Sequence, residues 1–279
     1  MLQSCPSLGA DCVILDLEDA VAPAHKDEAR RLVAYALRCL FFDCVEKVVR
    51  INDVSTPWWE LDLEEIVPAG PDVIRLPKAE SVENIRMVDN RITELEKANG
   101  LSEGGIELHI LLESAQAVEN VAKLVRSCKR VKGVGLGGQD LTADMGIRKT
   151  SSGEELAYAN GHMILAAKAA KIDCFDSVYT DINDGEGLLT NTRKAATMGF
   201  SGKSAIHPSQ VRIINQGFYP SEDILSHAQD VIAAAKIART EGRGAFSVNG
   251  KMVDGPVIRQ AMNVLAQAGI PCNSEEVLP

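Results

Sequence analysis

Two acidic residues each follow an apolar, strand-like stretch, and they are the strongest candidates for chemistry in this chain. Glu113 ends "ELHILLE", and Asp140 follows "VKGVGLGG". The two stretches are consecutive strands of the predicted sheet, so their ends would lie about 5 Å apart. Two carboxylates at that distance repel each other unless one is protonated or a cation lies between them.

A divalent metal would explain this pair. Oxygen ligands without Cys or a local His cluster favour Mg²⁺ or Mn²⁺ over zinc, and Mg²⁺ commonly takes one or two carboxylates besides water and substrate. The glycines before Asp140, Gly138 among them, would let a substrate approach the backbone. Two structural alternatives stay open: Asp140 as a helix N-cap, and Glu113 as a first-turn acid facing a helix dipole.

Polar residues follow the other strand-like runs as well. In a (β/α)₈ barrel the working face lies at the carboxyl ends of the strands, so this pattern gathers acids and a few cations on one rim. The residues are Asp16, Glu18 and Asp19 in "DLED", Arg50 and Asn52 in "RIN", Lys78 in "LPK", Asp181 in "YTD", and Lys203 and His207 in "GKSAIHP".

Some of these residues have both a functional and a structural interpretation. Arg50 suits a bidentate contact with a substrate carboxylate, or else an ion pair with "DLED". The acids of "DLED" would orient Arg50, Lys26 or metal-bound water. His207 favours a structural role near a helix that starts at Pro208. Asp254, before Gly-Pro, is typical of a helix N-cap.

The elements that position these residues alternate between strands and helices, which predicts an α/β protein with a parallel sheet covered on its faces. A TIM (β/α)₈ barrel needs eight strands, and seven are visible. The opening "MLQSCPSLGA" is typical of a helix end and a turn, so the first strand is expected to be missing. A doubly wound open sheet is the alternative. The predicted strands are 12–16, 47–51, 72–77, 107–113, 131–138, 174–180 and 201–206, and the clearest helices are 26–40, 81–98, 115–126, 154–171, 187–198 and 221–241.

The C-terminal part follows a different pattern. "AFSVNGKMVD" predicts a hairpin with an Asn-Gly turn, and residues 256–268 predict a last helix. We therefore expect a barrel catalytic domain in residues 1–241 and, in residues 242–279, an appendage that packs on a neighbouring subunit.

Composition excludes several classes of protein. The chain has 279 residues, 46% of them apolar, and a net charge of -10, which argues against a nucleic-acid partner. No apolar run reaches the roughly 20 residues of a membrane span, and no signal peptide is recognisable. Seven cysteines without a CxxC pair favour a reduced, cytoplasmic compartment and no zinc site. Neither a phosphate-binding GxxxxGK[ST] loop nor a GxSxG elbow is present.

Seven segments in this order resemble the citrate lyase β-subunit / HpcH-HpaI aldolase family, which includes citryl, malyl and citramalyl thioester lyases. The resemblance covers almost the whole chain, although the "RSxLFxPG"-like start of the family is absent. The segments are "ADCVILDLEDAVAPAHKDEAR", "VVRINDVSTPWW", "DVIRLPKAES", "LLESAQAV", "GLGGQDLTADMG", "GFSGKSAIHPSQ" and "NGKMVDGPVI".

The resemblance implies a TIM barrel that forms a trimer or hexamer, possibly with other lyase subunits. It implies Mg²⁺ held by Glu113 and Asp140, and Arg50 as the residue that binds the oxo-acid carboxylate. Asp254 would be the acid/base in a neighbour's site. The "GKSAIHP" stretch with Lys203 would lie near the thioester carrier, either CoA or an acyl carrier protein.

The expected reaction is a retro-Claisen cleavage that gives a 2-oxo acid and an acyl thioester, with citryl-type thioesters favoured. Three alternatives remain. The first is a class II aldolase acting on a free hydroxy-oxo acid. The second is a malate-synthase-like condensation, and the third is a non-catalytic subunit of a larger lyase complex.

Overall fold

The computed structural model of the chain describes residues 2–150, 152–273 and 277. The chain falls into two compact units, Met1–Ile214 and Asn215–Pro279. This boundary lies before the 241/242 division proposed from the sequence. The catalytic role of the first part and the subunit contact of the last part stay predictions.

The first unit contains one parallel sheet of seven strands whose spatial order is their order in the chain. A doubly wound sheet reverses its strand order at a switch point, so that alternative is wrong. The α/β class and the parallel sheet are confirmed, with the sequential order that a barrel requires. The strands are β1 (Cys12–Asp16), β2 (Glu46–Arg50), β3 (Val73–Leu76), β4 (Glu107–Leu112), β5 (Val131–Leu136), β6 (Asp173–Asp176) and β7 (Gly202–Lys203).

At least one helix lies in every connection between successive strands of this sheet. The predicted helices are confirmed to within a few residues, and three shorter ones, α2, α5 and α8, were not among the clearest predictions. The helices are α1 (Lys26–Cys39), α2 (Trp59–Ile66), α3 (Val82–Ala98), α4 (Ala115–Leu124), α5 (Gly138–Asp144), α6 (Ala157–Ala170), α7 (Gly185–Met198), α8 (Pro208–Phe218), α9 (Glu222–Thr240) and α10 (Gly255–Gln267).

The core of the first unit lies between the sheet and the helices of the same unit, α1 to α7. Every residue of β3 is buried, and β5 exposes only Lys132, as expected for strands covered on both faces. Helix α3 buries residues three or four positions apart, which is the spacing of one helical face. These are Ile85, Val88, Ile92 and Leu95.

The chain before β1 forms a 3₁₀ helix, Leu2–Ser7, in agreement with the predicted helix end and turn. The proposal that the chain lacks the first strand of a (β/α)₈ barrel stays a prediction. All seven cysteines are free thiols. Among the described residues, no helix has both the length and the apolar character that crossing a bilayer requires.

The second unit contains the predicted hairpin. Strands β8 (Phe246–Val248) and β9 (Lys251–Val253) pair antiparallel. Asn249 and Gly250 both have positive φ, 49° and 77°, as a type I′ turn requires. Within this unit, buried residues of α9, the hairpin and α10 form one apolar cluster, for example Ile232, Val253 and Leu265.

Candidate active site

Glu113 follows the last residue of β4 and is only 6% exposed. Ser114, the next residue, is the N-cap of α4, and its hydroxyl accepts a hydrogen bond from the Ala117 amide at 3.2 Å. The first turn of α4 contains no acid. The interpretation of Glu113 as a first-turn helix acid is therefore wrong, and its carboxylate is available for another role.

Gly137 makes room for this carboxylate. The Gly137 amide donates to the Leu112 carbonyl at 2.9 Å, which fixes the end of β5 beside the end of β4. A Cβ atom on Gly137 would lie 2.5 Å from Cγ of Glu113, far inside van der Waals contact. We expected the glycines here to let a substrate approach the backbone. At Gly137 the space left by the missing side chain is instead occupied by the side chain of Glu113.

Asp140 is the third residue of α5, and Gly137 is the N-cap residue of that helix. The N-cap interpretation of Asp140 is therefore wrong. The strand before it ends at Leu136, and Asp140 itself is exposed. An acid in the first turn still benefits from the helix dipole.

The charges around Glu113 show that the two acids are neighbours, as the sequence predicted. The pKa of Glu113 is raised to about 8, first by burial and then by the nearby carboxylates of Glu18 and Asp140, while Arg50 and Lys78 oppose the rise. An acid after β1, one after β4 and one in α5 are thus close enough for their charges to interact. Cations within the protein only partly balance them.

Arg50 ends β2 and points toward the acids after β1. Its Nε and one terminal nitrogen donate to the two carboxylate oxygens of Asp16, both at 2.7 Å. Its other terminal nitrogen lies 2.8 Å from Glu18 Oε2. The predicted ion pair with "DLED" is confirmed, and the substrate contact of Arg50 stays a prediction.

Glu18 joins two cations. Its side chain is 5% exposed, and Lys78 Nζ lies 3.2 Å from the oxygen that does not contact Arg50. Neither oxygen of Glu18 has a hydrogen bond of good geometry, although both are within ion-pair distance. Lys26, which we expected one of these acids to orient, instead donates to the backbone carbonyls of Leu17 and Glu18 at 2.7 and 2.8 Å.

Lys203 lies in β7 with a side chain only 2% exposed, and it pairs with Asp176 Oδ2 at 2.6 Å. The same ammonium donates to the Ser177 carbonyl at 2.7 Å. Lys203 and Gln139 both line a cavity of about 480 Å³. Gly138 is buried, and a Cβ atom there would lie 3.0 Å from Leu156 and 3.2 Å from Ser177. The substrate contacts of Lys203 and Gly138 stay predictions.

Asp254 and His207 make local contacts near helix starts. Asp254 is the N-cap of α10, and its carboxylate accepts a hydrogen bond from the Val257 amide at 3.4 Å. His207 Nδ1 accepts from the Ser209 amide at 3.2 Å. The structural interpretation of both residues is confirmed, and the acid/base role of Asp254 stays a prediction.

The residues present suit a hard divalent cation. Glu113 is a buried carboxylate beside two other acids, and an added positive charge would relieve the repulsion that raises its pKa. Among the described residues no group of three His, Cys, Asp or Glu side chains is arranged to hold a metal. A pair of carboxylate ligands with water or substrate in the remaining positions is nevertheless a common form of Mg²⁺ site.

Sequence reasoning named Glu18 and Lys78 among the rim residues but missed that they form an ion pair facing Glu113. It also missed the network that holds the end of β2. Asp62 of α2, fully buried, accepts hydrogen bonds from Arg30 and from the backbone amide and side chain of Asn52. The acids of "PWWELDLEE" were the only sign of this network in the sequence, but the sequence does not show that Arg30 and Asn52 are the partners of Asp62.

Comparison with known proteins places this geometry in context. The family model described as HpcH/HpaI aldolase/citrate lyase matches residues 1–208. The citrate lyase subunit beta of Leuconostoc mesenteroides subsp. cremoris is 40% identical over 268 residues, which cover 96% of this chain and 89% of that protein. The mitochondrial citramalyl-CoA lyase of Mus musculus is 36% identical and aligns with 96% of this chain and 82% of its own length.

A solved structure gives the same result. The CitE protein of Mycobacterium tuberculosis, crystallised with magnesium, acetoacetate and coenzyme A, superposes with a TM-score of 0.78. It is 33% identical, and the match covers 94% of this chain and 91% of that one.

Proposed function

This chain belongs to the HpcH/HpaI aldolase/citrate lyase family, and on that premise we propose that it is a magnesium-dependent carbon–carbon lyase. Its substrate would be a hydroxy-acid thioester, and its products a 2-oxo acid and an acyl thioester. The observation that carries the proposal is the buried Glu113, whose pKa is raised to about 8 beside Glu18 and Asp140. A relative crystallised with magnesium, acetoacetate and coenzyme A supports the same reaction class.

Glu113 and Asp140 are the proposed metal ligands. A bound Mg²⁺ would supply Lewis-acid chemistry by polarising the hydroxyl and the adjacent carboxylate of the substrate. The protein contributes the placement of the two carboxylates: Gly137 leaves room for Glu113, and the first turn of α5 presents Asp140 to the solvent side of the rim.

The remaining roles fall to residues of this chain that carry or move charge. We propose that Arg50, oriented by Asp16, stabilises the carboxylate of the oxo acid as the C–C bond breaks. Asp254, supplied by a second copy of the chain, would hold or move a proton. Lys203, which lines the cavity of about 480 Å³, would lie near the thioester carrier.

The finer features follow from the same proposal. The seven sequential strands are those of a TIM-type barrel, and the active assembly would be a homotrimer or hexamer. We propose a cytoplasmic location. The acyl carrier would be CoA or an acyl carrier protein, and citryl-type thioesters are favoured because the citrate lyase subunit beta of Leuconostoc mesenteroides is 40% identical, against 36% for the citramalyl-CoA lyase of Mus musculus.

The test supplies citryl-, malyl- and citramalyl-CoA with Mg²⁺ and follows release of the 2-oxo acid. We expect turnover of at least one thioester, and its loss in chelator. If a folded, oligomeric preparation turns over none of them, the proposal is wrong. A free hydroxy-oxo acid in the same assay tests the class II aldolase, and an oxo acid with an acyl thioester tests condensation. A magnesium titration tests the non-catalytic subunit, which need not bind the ion.

A further inference from the structure

Lys78 has an unusual backbone conformation at the edge of the candidate active site. Its φ is +48°, in the left-handed region that side chains with a Cβ avoid. Within the described part of the chain, three other non-glycine residues share a positive φ, and each has a local reason. Lys171 ends α6, Asn249 lies in the hairpin turn, and Cys44 lies in a turn before β2. Lys78 follows strand β3 and serves no such cap or hairpin.

This conformation aims a cation at the acids of the site. Lys78 Nζ lies 3.2 Å from Glu18 Oε1, and its charge is close enough to Glu113 to oppose the rise in that residue's pKa. The Lys78 side chain is 42% exposed, whereas that of Glu18 is 5% exposed. The ammonium therefore lies where the buried acids meet the open side of the site.

The other cations at the strand ends are more fully engaged. Every guanidinium nitrogen of Arg50 already faces Asp16 or Glu18. Lys26 is buried and donates to two carbonyls. Lys203 is buried against Asp176 and the Ser177 carbonyl. Of these four, Lys78 has the most exposed side chain, 42% against 24% for Arg50 and 2% for Lys203, and its contact is the ion pair with Glu18.

We infer that Lys78 is a substrate-binding residue whose ammonium contacts a carboxylate oxygen of the hydroxy acid and of the 2-oxo acid product. This inference rests on the proposed lyase function and extends it, because nothing in the sequence assigned a role to Lys78. A strained backbone is retained where the surrounding structure and function require it. Here it places a partly exposed ammonium, paired with Glu18, near the acids that are proposed to hold the metal.

The experiment measures oxaloacetate binding by calorimetry in the presence of Mg²⁺, for the full-length protein and for Lys78→Met. We expect the substitution to weaken oxaloacetate binding at least tenfold. Lys97→Met is the matched control, because Lys97 also makes one ion pair, at 3.3 Å with Glu103, far along the chain on α3. It should leave oxaloacetate binding unchanged.

Magnesium affinity, measured without oxaloacetate, separates a direct contact from a structural role. Removing a cation near the acids should leave Mg²⁺ binding equal or tighter, since less positive charge then opposes the ion. Weaker Mg²⁺ binding in Lys78→Met would mean that the lysine organises the acids, and it would overturn the inference. Oxaloacetate binding within twofold of the unmodified protein would overturn it as well.

A second variant, Lys78→Gly, tests whether any loss of oxaloacetate binding is caused by misfolding. Glycine adopts φ near +48° without strain, so this variant should unfold at the same denaturant concentration as the unmodified protein or higher, while losing oxaloacetate binding. If the unmodified protein cleaves a thioester and Lys78→Met still binds oxaloacetate, only this inference fails. If the unmodified protein neither cleaves a thioester nor binds oxaloacetate, the proposed function fails with it.

Discussion

Two buried glutamates of the first unit, Glu96 and Glu113, have opposite surroundings. Glu96 is fully buried, and Arg130 donates to both of its oxygens, at 2.9 and 3.0 Å. The amides of Gly104 and Ile106 donate to it as well. Glu113 is almost as buried, but it faces Glu18 and Asp140 and has a pKa raised to about 8.

The difference distinguishes a carboxylate whose charge is satisfied within the protein from one that we propose binds a metal. Hydrogen bonds from Arg130 and two amides lower the pKa of Glu96 despite its burial, so its charge is satisfied within the protein. For Glu113 the repulsion from Glu18 and Asp140 is only partly balanced by the charges of Arg50 and Lys78, and its pKa rises. Burial without compensation is expensive, and a protein retains it where a ligand supplies the missing charge.

The largest expected effect is on activity. Glu113→Gln removes a proposed metal ligand while keeping the shape of the side chain, so it should lower kcat/KM for the thioester about a thousandfold or more, given the several kcal/mol that a bound metal contributes. Urea unfolding of the metal-free variant should show no loss of stability. Near-normal turnover in Glu113→Gln would contradict the proposed metal-binding role that distinguishes Glu113 from Glu96.

The matched change, Glu96→Gln, should act on stability and leave kcat unaffected. It would leave the buried Arg130 guanidinium with Asp89, at 2.8 Å, as its remaining ionic partner, so the expected loss is about 1.5–3 kcal/mol, the range for hydrogen bonds to charged groups. Urea denaturation followed by circular dichroism measures this loss. A stability loss below about 1 kcal/mol would show that Glu96 is not the structural half of the comparison.

The two glutamates should also give opposite pH dependences in metal-free protein. The pKa of Glu113 rises from 4.5 to about 8 on folding, so the folded state holds a proton that the unfolded state has lost between these values. Stability should therefore fall as pH rises through this window, by at most about 1.4 kcal/mol per pH unit. The lowered pKa of Glu96 has the opposite sign: its contribution is present above its unfolded pKa and is lost as pH falls.

Urea midpoints measured in chelator from pH 5 to pH 8 test this sign. Glu113→Gln should flatten the profile across that range, and saturating Mg²⁺ should do the same for the unmodified protein. An unchanged slope in Glu113→Gln would mean that another group titrates there.

The smallest expected effects come from two glycines. Gly137→Ala would put a Cβ atom 2.5 Å from Cγ of Glu113, so the carboxylate must move, and we expect Mg²⁺ affinity to fall about tenfold to a hundredfold, as when the supporting groups of a metal ligand are changed. Gly161→Ala is the control. No atom lies within 4 Å of its added Cβ in α6, and alanine should stabilise that helix by up to about 1 kcal/mol. Calorimetry and thermal unfolding distinguish the two outcomes.

The sequence predicted the sheet well because apolar runs and helical periodicity are local properties. The predicted strands agree with β1 to β7 to within a few residues, except that the last residues assigned to the sixth and seventh runs lie outside β6 and β7. Helices α2 and α5 were missed because they have only eight and seven residues. Non-local contacts stabilise such short helices, for example the bonds from Arg30 and Asn52 to Asp62 of α2.

The site was predictable as a set of residue types and strand ends, but not as a set of contacts. The neighbouring positions of Glu113 and Asp140 follow from consecutive parallel strands. The pairing of Glu18 with both Arg50 and Lys78 joins three strands, and no spacing in the sequence specifies it. The role of Gly137 also depends on an atom 24 positions earlier in the chain, in Glu113.

The sequential strand order has a consequence for the timing of biosynthesis. Glu113 follows the fourth strand, and Asp140 lies in α5, after the fifth, so a nascent chain on the ribosome holds only one of the two proposed metal ligands until α5 has been made. A partly synthesised chain therefore cannot sequester magnesium through both acids at once. The ability to bind magnesium through both proposed ligands would therefore appear late in synthesis, when the fifth strand pairs with the fourth and α5 forms.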